Sequence, residues 1–233
     1  MKPGILSIFV TAPAILALLL TTALADETVD IAGSKAVLLR PDKPTASVIL
    51  MPGGDGYIGA GAGGTITRLA GNQLVRTRGA YRARGLAVLV VDANVDLSRA
   101  VAYMAAIKRP VTVIATSRGT LRAARGIANG ANPDALVLTS GFLTNSSGGQ
   151  ENVANILGPP GALPRTLIIH HRQDSCRFTL PAGVEPFVQW AGGRARVKWL
   201  DGGTSSGDPC QERAHHGFNG QDGEVVSLAA GFR

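Results

Sequence analysis

Between Ala115 and Gly119 the chain reads Ala-Thr-Ser-Arg-Gly, a serine with small residues two places before and two places after it. At a tight strand-to-helix turn both flanking positions must be small so that strand and helix can approach, and a serine at the apex holds its hydroxyl clear of the backbone. That hydroxyl is a weak nucleophile until a base lies within hydrogen-bond reach and the base is oriented by an acid. All four histidines fall in two adjacent pairs, His170-His171 and His215-His216. The second pair sits in CQERAHHGFNG, a polar loop in which Gly217 and Phe218 follow His216. His216 is the candidate base, with His215 as the near alternative. Asp174, in TLIIHHRQDSCR, is the candidate acid, and Asp201 stands second. An exposed histidine and a loop aspartate without a catalytic role are the plainer alternatives. Ser117, Asp174 and His216 together would transfer acyl groups without a cofactor. A metal is not expected, because the His, Cys and Asp spacing matches no zinc pattern.

Those side chains must be carried by a scaffold, and the apolar runs describe one. Residues 48–51, 86–92, 111–115, 135–139, 166–170 and 195–200 are short and β-branched, mostly near-continuously apolar, as a sheet buried on both faces requires. Weaker alternating runs at 29–32 and 36–40 predict an antiparallel hairpin ahead of them. Helical patterns lie between the strands at 97–108, 119–130, 185–193 and 224–232, with Gly130 as a stop for the second. Strands alternating with helices predict a doubly wound α/β domain, whose active residues belong in loops beyond the carboxyl ends of the strands. Ser117, Asp174 and His216 all follow a strand in this scheme.

The amino terminus predicts export. Lys2, a mostly apolar run from Ile5 to Leu20 and the small-x-small Ala23-Leu24-Ala25 have the order of a secretory signal over residues 1–25. An uncleaved membrane anchor is the rival, and Pro13 and the cleavage site speak against stable insertion. Residues 26–233 then form one domain, with no linker or internal repeat. The protein is expected in the periplasm or the medium. There its two cysteines, Cys176 and Cys210, are expected to form a disulfide. Cys176 lies two residues after Asp174 and Cys210 six before His216, so the bond would join the acid loop to the base loop. The net charge of +7 raises the question of nucleic acid, but aromatic residues make up only 5% and no recognition motif occurs. The arginines at 68, 76, 78, 82 and 84 do not share one helical face, which fits a solvated surface helix better than an anion-binding stripe.

The order Ser, Asp, His along the chain, and the segments TSRGT, HHRQDSC and DPCQERAHHGF, resemble the α/β-hydrolase family, in particular small exported bacterial members. The resemblance covers nearly all of residues 26–233. It implies an eight-stranded, mostly parallel sheet with helices on both faces, the nucleophile after the fifth strand, the acid after the seventh and the histidine after the eighth. It also implies that the loop after the third strand, here MPGGDG, supplies a backbone N–H to an oxyanion hole. Gly54 is the expected donor, with Asp55 as the alternative, and the N–H of Arg118 is the second. Family members often carry a helical cap between the sixth and seventh strands; residues 140–165 are too short and too rich in Gly and Pro for a large cap domain. The implied activity is hydrolysis of a small-molecule carboxylic ester or related acyl compound. A peptidase or acyltransferase using the same triad, and a non-catalytic binding protein on this fold, are the alternatives. The Arg118 side chain would either favour acidic acyl groups or pair with Asp55.

The same glycine-rich loop contains Gly54-x-Gly56-x-x-Gly59, which in isolation resembles a dinucleotide fingerprint. Pro52 and the extended run after Gly59 break the direct step from strand to helix, and Asp92 lies too far on to serve as the ribose-binding acid.

Overall fold

The computed structural model describes Met1 and residues 26–233; the expected signal segment lies outside the described residues. Eight strands form one sheet: β1 (Glu27–Ile31), β2 (Ser34–Leu39), β3 (Ala46–Met51), β4 (Leu86–Val91), β5 (Val111–Thr116), β6 (Ala135–Thr139), β7 (Thr166–His171) and β8 (Ala195–Leu200). Their order is β1-β2-β4-β3-β5-β6-β7-β8. β1 and β2 form the expected hairpin, and β2 also runs antiparallel to β4; every other pairing is parallel. Both hairpin strands begin two residues earlier than the alternation predicts. Ala32 and Gly33 take the turn, both at positive φ, which suits the right-handed twist of a two-residue hairpin.

Six helices pack on the sheet: α1 (Gln73–Arg82), α2 (Leu97–Ile107), α3 (Gly119–Ala128), α4 (Val153–Leu157), α5 (Val184–Trp190) and α6 (Asp222–Gly231). Side chains alternate across the strands, so Ile49 and Val113 join one core while Val48, Leu50 and Ile114 join the other. The first core is closed by α2, α3, α4 and α5 through residues such as Met104, Ala124, Val153 and Phe187. The second is closed by α1 and α6 through Leu74, Tyr81, Val225 and Ala229. Every residue of β3 through β7 is buried, as helices on both faces demand.

Local capping fixes where the helices start. The side chain of Asn72 accepts the N–H of Leu74 at 3.1 Å, and that of Asp96 accepts the N–H of Arg99 at 3.1 Å. α1 is more than a solvated surface helix. Arg76 grips Asp222 of α6 at 2.8 Å, and Arg78 and Arg82 reach Asp26, so these arginines tie elements together. Between β6 and β7 the chain makes two 3₁₀ turns and the short α4, whose Val153 and Leu157 are buried, and adds no cap domain. Among the described residues no helix is long and apolar enough to cross a membrane.

Candidate active site

Ser117 stands at the turn from β5 into α3 with φ +51°, a left-handed conformation unfavourable for a residue with a Cβ. Its surroundings hold it there. Its N–H donates to Thr139 O at 3.0 Å, and its carbonyl accepts both the N–H and the hydroxyl of Thr120, at 2.9 and 2.7 Å. A Cβ at Gly119 would collide with the carbonyl oxygen of Met51 and lie 2.6 Å from that of Pro52. The start of α3 therefore packs on the end of β3 closely enough to admit only glycine. Ala115, two residues before the serine, is fully buried in β5.

Asp174 follows β7 and is 2% exposed. Its Oδ1 accepts the N–H of Cys176 at 2.9 Å, and its Oδ2 accepts the Thr179 hydroxyl at 3.0 Å and His216 Nδ1 at 3.1 Å. The same Thr179 oxygen lies 2.9 Å from His216 Nδ1. A hydroxyl that donates to the carboxylate has its lone pairs free, so Nδ1–H is shared between Thr179 and Asp174. That arrangement places the histidine proton on Nδ1 and leaves Nε2 as an acceptor, the tautomer a general base requires. The His216 loop is docked by its backbone as well, since its carbonyl accepts the hydroxyl of buried Ser140 at 2.8 Å. Cys176 and Cys210 form a disulfide that joins the two loops, 34 residues apart in sequence.

The other two candidates face elsewhere. His215 stacks flat on His171, with ring centroids 4.2 Å apart. Asp201 is exposed and pairs with Arg172 at 3.3 Å. His170 completes the buried cluster, its Nε2 3.6 Å from the same Asp174 Oδ2 that meets His216. Its Nε2 donates to Thr179 O at 2.9 Å, and burial pushes its imidazole down to about 4. A neutral His170 thus braces the Thr179 loop beneath the acid.

Ser117 and His216 line one cleft of about 490 Å³, together with Gly53, Gly54, Leu69 and Phe142. A Cβ at Gly53 would lie 3.0 Å from the Ser117 Cβ, which shows how closely the β3 loop passes the serine. Gly54, at φ +58°, and Arg118 also border the cleft. Arg122, one turn into α3 and outside this cleft, donates to the carbonyls of Pro52, Gly53 and Gly54. Those carbonyls are thereby held on the helix side of the loop. Burial first, and the neighbouring Arg118 second, hold the Arg122 guanidinium below its ordinary value. Asp55 pairs with Arg68 at 2.7 Å, not with Arg118.

Thr179, Ser140, His170 and Arg122 were not singled out from the sequence. Arg122 had a signal, an i, i+4 step from Arg118 on the helix that carries the elbow. His170 shows only as half of an adjacent histidine pair, and Thr179 and Ser140 lie in no pattern.

The strand order, the turn bearing Ser117 and the helices on both faces define an α/β-hydrolase fold. Solved structures with this architecture match nearly the whole chain. An esterase domain from Rhodothermus marinus is similar at 14% identity and a TM-score of 0.59, over 89% of this chain and 98% of that one. An a/b serine hydrolase without lid from Xanthomonas campestris matches at 14% identity and TM-score 0.56, over 88% and 94%. A Thermus thermophilus protein matches at 16% identity and 0.56, over 87% and 95%. No family model and no curated protein matches the sequence. At these identities the likeness is one of fold.

Proposed function

We propose that this protein is an exported serine hydrolase that cleaves carboxylic esters or related acyl compounds. The observation that carries it is the buried contact of 3.1 Å between His216 and Asp174, facing a cleft shared with a serine held at positive φ. His216 Nε2 takes the proton from Ser117 Oγ as the oxygen attacks the acyl carbon. Asp174 holds the imidazole tautomer and stabilises the imidazolium that forms. The N–H groups of Gly54 and Arg118 receive the tetrahedral oxyanion, each contributing about 3–4 kcal/mol to barrier lowering. His216 then gives its proton to the leaving alcohol. Water, activated by the same histidine, releases the acid and restores Ser117. The esterase and serine-hydrolase descriptions of the similar structures support this reading. The disulfide supports export. The absence of a cap domain between β6 and β7 supports an open site for small or surface-bound substrates.

Intact-mass spectrometry after treatment with a fluorophosphonate tests it. One adduct mapped to Ser117 and missing in Ser117→Ala is the expected result, with turnover of p-nitrophenyl esters lowered about 10³-fold or more in the variant. No adduct on folded, disulfide-intact protein would reject the triad and leave a binding protein on a hydrolase fold.

A further inference from the structure

We propose that the cleft takes acyl substrates bearing an anionic group such as a carboxylate, read by the guanidinium of Arg118; this rests on the serine-hydrolase reading of the same cleft. Arg118 follows Ser117 directly and is exposed. It borders both the cleft and an adjoining groove of about 640 Å³. The two spaces also share Phe142 and Phe178, whose rings stack at 6.0 Å. A path therefore leads from the nucleophile, over an aromatic floor, along the Arg118 side chain.

Among the arginines that line the groove, the neighbouring charges single out Arg118. Arg122 and Arg125 line the same groove, but Arg122 is held by the β3-loop carbonyls and Arg125 by Glu151. The acid nearest in sequence to the oxyanion loop, Asp55, is taken by Arg68. The Arg118 guanidinium meets no hydrogen-bonding or ionic partner among the described residues. Three guanidiniums around one groove leave a positive field that its acids do not neutralise, and Arg122 is held low partly by that field. A planar guanidinium pairs with a carboxylate through two parallel hydrogen bonds, which fixes orientation as well as charge. Glu212 lines the cleft beside Gly71 and does not line the groove. An anionic substrate is thus repelled at one wall and received at the other, which sets which end of the molecule lies over Phe142.

The test uses two esters of equal chain length, p-nitrophenyl hexanoate and the mono-p-nitrophenyl ester of adipic acid, with background hydrolysis subtracted. In the wild-type protein the anionic ester is expected to show the higher kcat/KM. Its advantage should shrink as ionic strength rises while the neutral ester changes little. Arg118→Gln should lower the ratio of anionic to neutral kcat/KM about five- to tenfold, through KM, and Arg118→Glu should invert it. A wild-type ratio at or below one, or a ratio unmoved by Arg118→Gln, overturns the proposal even though Ser117 still takes the fluorophosphonate. No adduct and no turnover of either ester overturns it together with the hydrolase reading.

Discussion

The cleft is made from two halves that are held in opposite ways. The Ser117 half is a backbone construction. Ser117 at φ +51°, Gly119 against the β3 carbonyls and Gly53 against the serine are fixed by main-chain contact. The Asp174–His216 half is a side-chain construction. Asp174 and Thr179 come from one loop, His216 and Ser140 from two others, and they are joined by hydrogen bonds spanning up to 76 residues, with a disulfide between the Asp174 and His216 loops. The first half tolerates almost no added volume. The second tolerates volume but depends on every partner being present, because each buried polar atom is costly once orphaned.

Four measurements break or sharpen that contrast. The largest effect belongs to the cross-link. The double variant Cys176→Ser/Cys210→Ser should lose about 4 kcal/mol of unfolding free energy in urea titration, from the entropy of closing a 34-residue loop. Its activity should fall further than its folded fraction, since the Asp174 and His216 loops lose their tie. Gly119→Ala attacks the other half. It should lower ester kcat/KM about 100-fold while circular dichroism stays native, because α3 must shift the serine to clear the Met51 and Pro52 carbonyls. Native activity in that variant would show the close packing to be incidental. Thr179→Val should cost about tenfold in kcat and move the pH profile, whereas Thr179→Ser should retain both. Equal losses from the two would mean the hydroxyl does not position His216.

The smallest effect concerns pH. His170 sits at about 4 in the folded protein against 6.5 as the ordinary value, so unfolding binds a proton as pH falls through that interval. Stability attached to neutral His170 is complete above 6.5 and declines toward 4. Over the first pH unit below 6.5 the decline should be about 1 kcal/mol in the wild type. It should be absent from the wild-type minus His170→Gln difference only if burial does not hold the imidazole neutral. Asp174, His216 and His171 face the same pocket and interact with His170, so the difference reports His170 together with its coupling to those three groups.

The contrast also explains what the sequence could disclose. The turn bearing Ser117 is local, and its small neighbours within two residues announce it. The sheet was legible because buried parallel strands leave near-continuous apolar runs; the hairpin strands, less buried at β1, were legible only to within two residues. That the Asp174 and His216 loops are neighbours could be read from their order after strands and from the cysteines beside them. Thr179 and Ser140 could not. Each meets His216, 37 and 76 residues away, and only the folded loops bring them together. His215 and His216 are adjacent, and nothing in their types says which ring turns inward. The 3₁₀ turn at His215–Gly217 decides it, sending His215 onto His171 and His216 to Asp174.

The disulfide reaches beyond the cleft. The covalent ring from Cys176 to Cys210 encloses α5 and the whole of β8, which is the last strand in the sheet order and therefore carries an open edge. Such an edge invites fraying and pairing with another chain. Here the strand cannot peel away by more than its anchored loop allows, and Arg196 and Lys198 put charge along it. Amide hydrogens of β8 in the oxidised protein are thus expected to exchange with the global unfolding of the sheet. Reduction would release them as a separate, faster-opening unit.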